Sequence, residues 1–306
     1  MNFTRGPVIV LWNYGYWCNM NCKHCYSRLD AKAMAADMTT NEAEHIAEQL
    51  IRARVMHVHF GGGEPLGRKD FLSIARMLAN EGIYVTLSTN GSLIFERVAD
   101  ALADVPLSTI AFSIHGSDAK SHDWFNEFPG AWQKLVAAIH MMVQRNIKVK
   151  LVMVITKPTA PHAVQLLQLA HEWGVYMVQF QTFKRYGNAN RNLLSLNLTR
   201  DGWRETFEAI RVSYNELVRA GSSLKVDLGL DGDPVLAAEI GLTSAHERCP
   251  CGIFSVTIAP NGDILPCPFA PEPIGNMHSA QLLDLWQNSP ILKKIREGKR
   301  NPCEKD

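Results

Sequence analysis

The chain has 306 residues, 46% hydrophobic and 20% charged, with a formal net charge of +1. That length holds one α/β core plus a small extension, the near-zero charge supplies no global field for nucleic acid or a membrane surface, and the lack of a long apolar run argues against secretion and membrane insertion. Seven cysteines without a secretory signal fit metal or redox chemistry in a reducing cytoplasm better than a disulfide framework.

In chain order, the first strand candidate, Val8 to Trp12, leads into Cys18, Cys22 and Cys25, spaced CxxxCxxC. Three thiolates on one tight loop hold three corners of a cubane [4Fe–4S] cluster and leave the fourth iron open to a small molecule. A structural zinc knuckle prefers four ligands and paired CxxC spacing, so it fits poorly. Further strand candidates are His57 to Phe60, Tyr84 to Ser88, Thr109 to Ser113, Val149 to Ile155 and Tyr176 to Thr182. Helix candidates alternate with them: Thr40 to Arg54, Phe71 to Asn80, Leu93 to Ala103, Ala131 to Arg145 and His162 to Trp173. Strand and helix in strict alternation predict βα units around a parallel sheet, with chemistry at the C-terminal strand ends.

The pattern changes after Thr182. The polar, Gly/Asn-rich stretch from Lys184 to Asn192 predicts a loop over the barrel mouth or a linker. A long helix, Arg200 to Ala220, follows, and a boundary near residue 222 divides the chain into 1–222 and 223–306. The second part carries Cys249, Cys251, Cys267 and Cys303, with a hairpin predicted between Cys251 and Cys267 around Asn261-Gly262.

The cysteine loop, followed by Phe60-Gly61-Gly62-Gly63-Glu64-Pro65, Leu87-Ser88-Thr89-Asn90-Gly91 and Ala111-Phe112-Ser113-Ile114-His115-Gly116, resembles the radical S-adenosylmethionine (SAM) enzymes. His115 stands where many relatives carry an acid. The resemblance implies an incomplete (β/α)6 TIM-like barrel with an open side, in which Cys18, Cys22 and Cys25 hold a [4Fe–4S] cluster and SAM chelates its open iron. Gly62, Gly63 and Glu64 would meet the amino end of SAM, His24 would pack by the adenine, Ser113 would contact the ribose, and Ser88 and Asn90 would complete the cofactor site. The run Val152 to Thr156, with Ile155, would wall the adenine or is plain buried strand.

The C-terminal segment is similar to the SPASM/twitch extensions of that family, which implies a second [4Fe–4S] cluster held by Cys251, Cys267 and Cys303, with Asp306, water or a backbone group as the last ligand. Cys249 is then either a fourth ligand or a free thiol returning a hydrogen atom to a substrate radical. The donor role makes the chain most similar to the neomycin C epimerase type, which implies a polycationic aminoglycoside substrate inverted at one carbon. Carboxylates for that substrate are sought in Glu127, Asp227, Asp231 and Asp233, each equally a turn or cap residue. The rival readings are a decarboxylase or dehydrogenase of a sugar or nucleoside, a peptide-modifying maturase, and a non-enzymatic iron–sulfur electron carrier. The seven residues ahead of Val8 count against the maturase, which is expected to carry a leader-recognition segment. A flavodoxin- or ferredoxin-type reductant is the expected protein partner.

Overall fold

The computed structural model describes residues 5–26, 37–229, 249–270 and 272–302. Strands β1 (Ile9–Asn13), β2 (His57–Gly61), β3 (Tyr84–Thr89), β4 (Thr109–Ser113), β5 (Val149–Ile155), β6 (Met177–Thr182) and β7 (Lys225–Asp227) pair in parallel in sequence order. Between them run α1 (Thr40–Arg52), α2 (Phe71–Asn80), α3 (Glu96–Ala103), α4 (Ala119–Asn126), α5 (Ala131–Gln144) and α6 (Ala163–Glu172). Two short helices, α7 (Asn188–Arg191) and α8 (Leu193–Leu196), and the long α9 (Arg200–Arg219) lie between β6 and β7.

Strand alternation sorts the sheet into two faces. Val58, Phe60, Val85, Leu87, Ile110, Phe112, Leu151, Met153, Val178 and Phe180 are fully buried in the core under the helices. Their neighbours His57, His59, Thr86, Ser88, Lys150, Val152 and Gln179 are half-buried on the opposite, concave face. The helices match their amphipathic sequences. In α1, for instance, Thr39 and Glu42 form a reciprocal capping box, and Ala43, Ile46, Ala47 and Leu50 face inward.

The C-terminal segment extends the same sheet. Strand β8 (Ser255–Ile258) pairs in parallel with β1, β9 (Asp263–Leu265) turns back antiparallel on β8, and β10 (Gly275–Asn276) pairs with β9. The strand order is β10-β9-β8-β1-β2-β3-β4-β5-β6-β7. Helices α10 (Leu282–Asn288) and α11 (Pro290–Arg296) close this end. The buried Gln49 side chain ties it to α1, donating to Met277 O at 3.2 Å and accepting from Leu282 N at 2.9 Å. The predicted division at residue 222 therefore falls within one continuous sheet, with β7 beyond it on one edge and β8 against β1. The predicted hairpin forms around Asn261-Gly262, but its strands are shorter than the span between cysteines, and Cys251 and Cys267 flank them.

Sequence reading missed α4, β7, α8 and α11. β7 has three residues, too few for an alternation signal. The predicted loop at 184–192 contains α7, four residues dominated by asparagine and arginine, whose helicity comes from what it packs on and not from its propensity. No helix among the described residues is long and apolar enough to cross a membrane.

Candidate active site at the C-terminal end of the sheet

The loop after β1 brings Cys18, Cys22 and Cys25 to the C-terminal end of the sheet, all three half-buried. Three parts of the chain hold it. The Gly-rich turn after β2 is the first: Gly63 N donates to Gly15 O at 2.8 Å and Glu64 N to Trp17 O at 2.7 Å. A Cβ on Gly63 would lie 2.1 Å from Trp17 O, and Gly62 has φ +104°. These glycines are needed because the cysteine loop lies directly on their backbone.

The second clamp is the end of α4. Lys23 N donates to Phe125 O at 3.0 Å and Asn21 N to Asn126 O at 3.2 Å, and the Cys22 thiol donates to Asn126 Oδ1 at 3.0 Å. Glu127, with φ 51°, pairs with Lys23 at 2.8 Å and accepts from Asn21 Nδ2. The third is α7: Asn188 Nδ2 donates to Asn21 Oδ1 at 3.1 Å and Cys22 O at 3.2 Å, and Asn192 Nδ2 donates to Lys23 O at 3.0 Å. The asparagines read from sequence as loop composition thus add side-chain donors to the carbonyls of the irregular cysteine loop.

Glu64 is buried and turned inward. One carboxylate oxygen accepts from Thr89 Oγ1 at 2.8 Å and Leu66 N at 3.2 Å, and the other from Asn90 N at 2.8 Å. Burial outweighs these donors and raises its pKa to about 7. Both oxygens thus clamp the end of β2 to the end of β3. Asn90 Nδ2 reaches Asn19 Oδ1 at 3.0 Å and Cys18 Sγ at 3.8 Å, so it joins that clamp to the cysteine loop. Burial raises the Cys18 pKa, and the charges of Glu64 and Cys25 add to the shift. Ser88 Oγ meets His59 Nε2 at 2.9 Å, deeper on the concave face.

Ser113 ends β4 on the half-exposed face. Ile155 is fully buried on the helix-covered face with Leu151 and Met153, while Val152 and Val154 face the concave side. His24 is enclosed, its ring 4.3 Å from His115 and 5.0 Å from Phe125. Burial lowers its pKa to about 4, and its Nδ1 and both ring nitrogens of His115 have no hydrogen-bond partner. Sequence reading had no signal for the burial of His115 and His122, because a histidine spacing does not say which face is covered.

The second cysteine group is also assembled. Cys251 sits in hydrogen-bonding contact with Cys249, Cys267 and Ser255, and the two thiols do most to lower its pKa. Phe269 N donates to Cys267 Sγ at 3.5 Å. Phe269 bridges the two groups, stacking on Tyr186 with centroids 4.8 Å apart and meeting Tyr26, next to Cys25, edge-on at 5.2 Å. Cys303, Asp306, Asp231 and Asp233 lie outside the described residues. Asp227 accepts from Gln179 Nε2 and Gly229 N.

Among the described residues, no three His, Cys, Asp or Glu side chains gather tightly enough to hold a single metal ion. A cubane asks instead for one thiolate at each of several corners. Three sulfurs on one clamped, half-buried loop, with amide donors beside them, fit that demand.

The profile of the radical SAM superfamily matches residues 12–170, more than half of the chain. The chain belongs to the radical SAM superfamily. An iron–sulfur cluster-binding SPASM domain matches residues 249–305. Over 98% of this chain and 89% of the relative, it is 24% identical to the AdoMet-dependent heme synthase of Methanosarcina barkeri (strain Fusaro / DSM 804). Over 96% of this chain and 75% of the relative, it is 28% identical to the mycofactocin maturase MftC of Mycobacterium tuberculosis (strain ATCC 25618 / H37Rv). The fold matches Streptococcus suis SuiB bound to the precursor peptide SuiA with a TM-score of 0.80 and 18% identity, covering 96% of this chain and 68% of that one. Membership brings SAM and a [4Fe–4S] cluster as cofactors, with further iron–sulfur binding in the SPASM region. A reduced cluster on Cys18, Cys22 and Cys25 would supply one electron for cleavage of SAM to methionine and a hydrogen-abstracting 5′-deoxyadenosyl radical. The chain's own residues fix the cysteine loop, seal its polar backbone and leave the concave face open beneath it.

Proposed function

We propose that this radical SAM enzyme is a maturase that modifies a peptide or protein substrate. The observation that carries the reading is similarity over nearly the whole chain, through both cysteine regions, to proteins named as a mycofactocin maturase and a PqqA peptide cyclase. The open sheet supports it, since β10 and β7 end the strand order without pairing to each other and an extended substrate has a side from which to enter. The aminoglycoside epimerase reading needs Cys249 as a free thiol, and the contact of Cys249 with Cys251 supports a ligand role instead.

The deciding experiment supplies reconstituted enzyme, SAM and reductant with a low-mass peptide fraction from the source cells, and separately with aminoglycosides. Formation of 5′-deoxyadenosine should rise with the peptide fraction and fall when that fraction is pre-digested with protease. Stimulation by an aminoglycoside, with solvent deuterium at one inverted carbon, would establish the epimerase. The Cys249 assignment has its own check. A ligand role predicts that Cys249→Ala lowers iron from about eight to about four per chain, the content of one cubane, whereas a donor thiol leaves iron content unchanged.

A further inference from the structure

The concave face carries a polar network of histidine, hydroxyl, lysine and amide side chains. His57 Nε2 and His59 Nδ1 both meet Thr86 Oγ1 at 2.8 Å, and His59 Nε2 meets Ser88 Oγ at 2.9 Å. Across the sheet, Lys150 Nζ donates to Gln179 Oε1 at 3.3 Å, and Gln179 Nε2 donates to Asp227 Oδ2 at 2.6 Å. These contacts form two groups, one joining β2 to β3 and the other joining β5, β6 and β7, and both lie on the half-buried face of the sheet.

The donors and acceptors do not balance. Asp227 has both oxygens engaged, Oδ2 by Gln179 and Oδ1 by Gly229 N at 2.8 Å, and Gln179 Oε1 accepts a second bond from Gln181 Nε2 at 3.2 Å. Lys150 has three N–H donors and, among the described residues, a single long bond to a neutral amide. A half-buried ammonium with donors to spare and its counter-ion one residue removed favours an incoming anion, because burial strengthens a charge-assisted bond. Burial lowers the Lys150 pKa against the charge of Asp227, and burial, with the Lys150 charge second, lowers those of His57 and His59, which places the three groups within electrostatic reach of one another.

We propose that Lys150, flanked by His57 and His59, forms a subsite on the concave face that binds a carboxylate of the substrate. Both His59 nitrogens are engaged by Thr86 and Ser88, and His57 Nε2 by Thr86, so the imidazole nitrogen left to meet the second carboxylate oxygen is His57 Nδ1. The subsite rests on the maturase reading only for the identity of its ligand, which is then an acidic side chain or the carboxyl terminus of the peptide.

Calorimetric titration of the reconstituted holoenzyme with three capped dipeptides tests this. Acetyl-Gly-Glu-amide offers only a side-chain carboxylate, acetyl-Gly-Gly only a terminal one, and acetyl-Gly-Gln-amide neither. At least one carboxylate probe should bind saturably in the millimolar range and the Gln probe should not; the stronger carboxylate probe identifies the source. Lys150→Arg should retain binding and Lys150→Met should weaken it by about tenfold to a hundredfold, the worth of a charged hydrogen bond. No saturable binding to wild type, equal binding of the Gln probe, or unchanged binding in Lys150→Met overturns the proposal. If Lys150→Met does not fold, protection of Lys150 from acetylation in the wild-type protein decides: slower acetylation with the carboxylate probe supports the subsite, and an unchanged rate refutes it. Carboxylate binding without modification of any peptide removes the maturase reading alone, and peptide modification without carboxylate binding removes the subsite alone.

Discussion

Glu64 shows how much one side chain does when its surroundings are covered. Its carboxyl titrates near pH 7 instead of 4.5 because burial disfavours the charged form. The folded state therefore binds this proton more tightly than the unfolded chain. Its contribution to stability is fully present below pH 4.5 and is lost as pH rises to about 7. The difference in unfolding free energy between the cluster-free wild type and Glu64→Gln, followed by denaturant melts, should slope downward through that window and flatten above it. A difference that stays level from acid to neutral pH would refute the assignment. The residue itself was legible in the sequence from the Gly62-Gly63-Glu64 run, but its partners were not. Sequence spacing places Glu64 at a strand end without showing that Thr89, Asn90 and Leu66 occupy both its oxygens.

At the scale of elements, periodicity carried most of the reading. Strands β2, β4 and β5 begin where the alternation of apolar residues begins, because each buries one face under helices and cannot slip register without exposing it. The elements that were not legible are short ones whose structure depends on their contacts. Helix α7 is the clearest case, an asparagine-rich turn that is helical because it seals the cysteine loop. Asn188→Ala removes the side-chain donor to Asn21 Oδ1 and Cys22 O. The fold should survive, with a small change in melting temperature. Iron loss from the first cluster to a chelator should quicken by about tenfold, the effect of one to two kcal/mol of lost hydrogen bonding. Equal chelation rates in wild type and variant would show that α7 does not hold the loop.

For the whole molecule, the sequence revealed two cysteine regions and a change of pattern between them, which suggested two parts. It could not reveal that β8 lies against β1, because pairing between strands so far apart leaves no local periodic signal. The arrangement has a measurable consequence. A chain cut at residue 222 loses the parallel partner of Ile9–Trp12, the buried Val256 and Ile258 and the Gln49 contacts with Met277 and Leu282. It should be recovered as aggregate, or melt far below the full chain, because β1 becomes an unprotected edge. A truncated protein that is monomeric with an unchanged melting temperature would show that the first part folds independently.

The same pairing bears on how the protein is made. β1 is synthesised ahead of its partner β8, which follows more than two hundred residues later. Closing so long a loop carries an entropic cost, and contacts this distant in sequence form slowly. During synthesis the first strand holds only its β2 side, with its other edge exposed until the last fifth of the chain arrives. Assembly of the sheet is thus a late event.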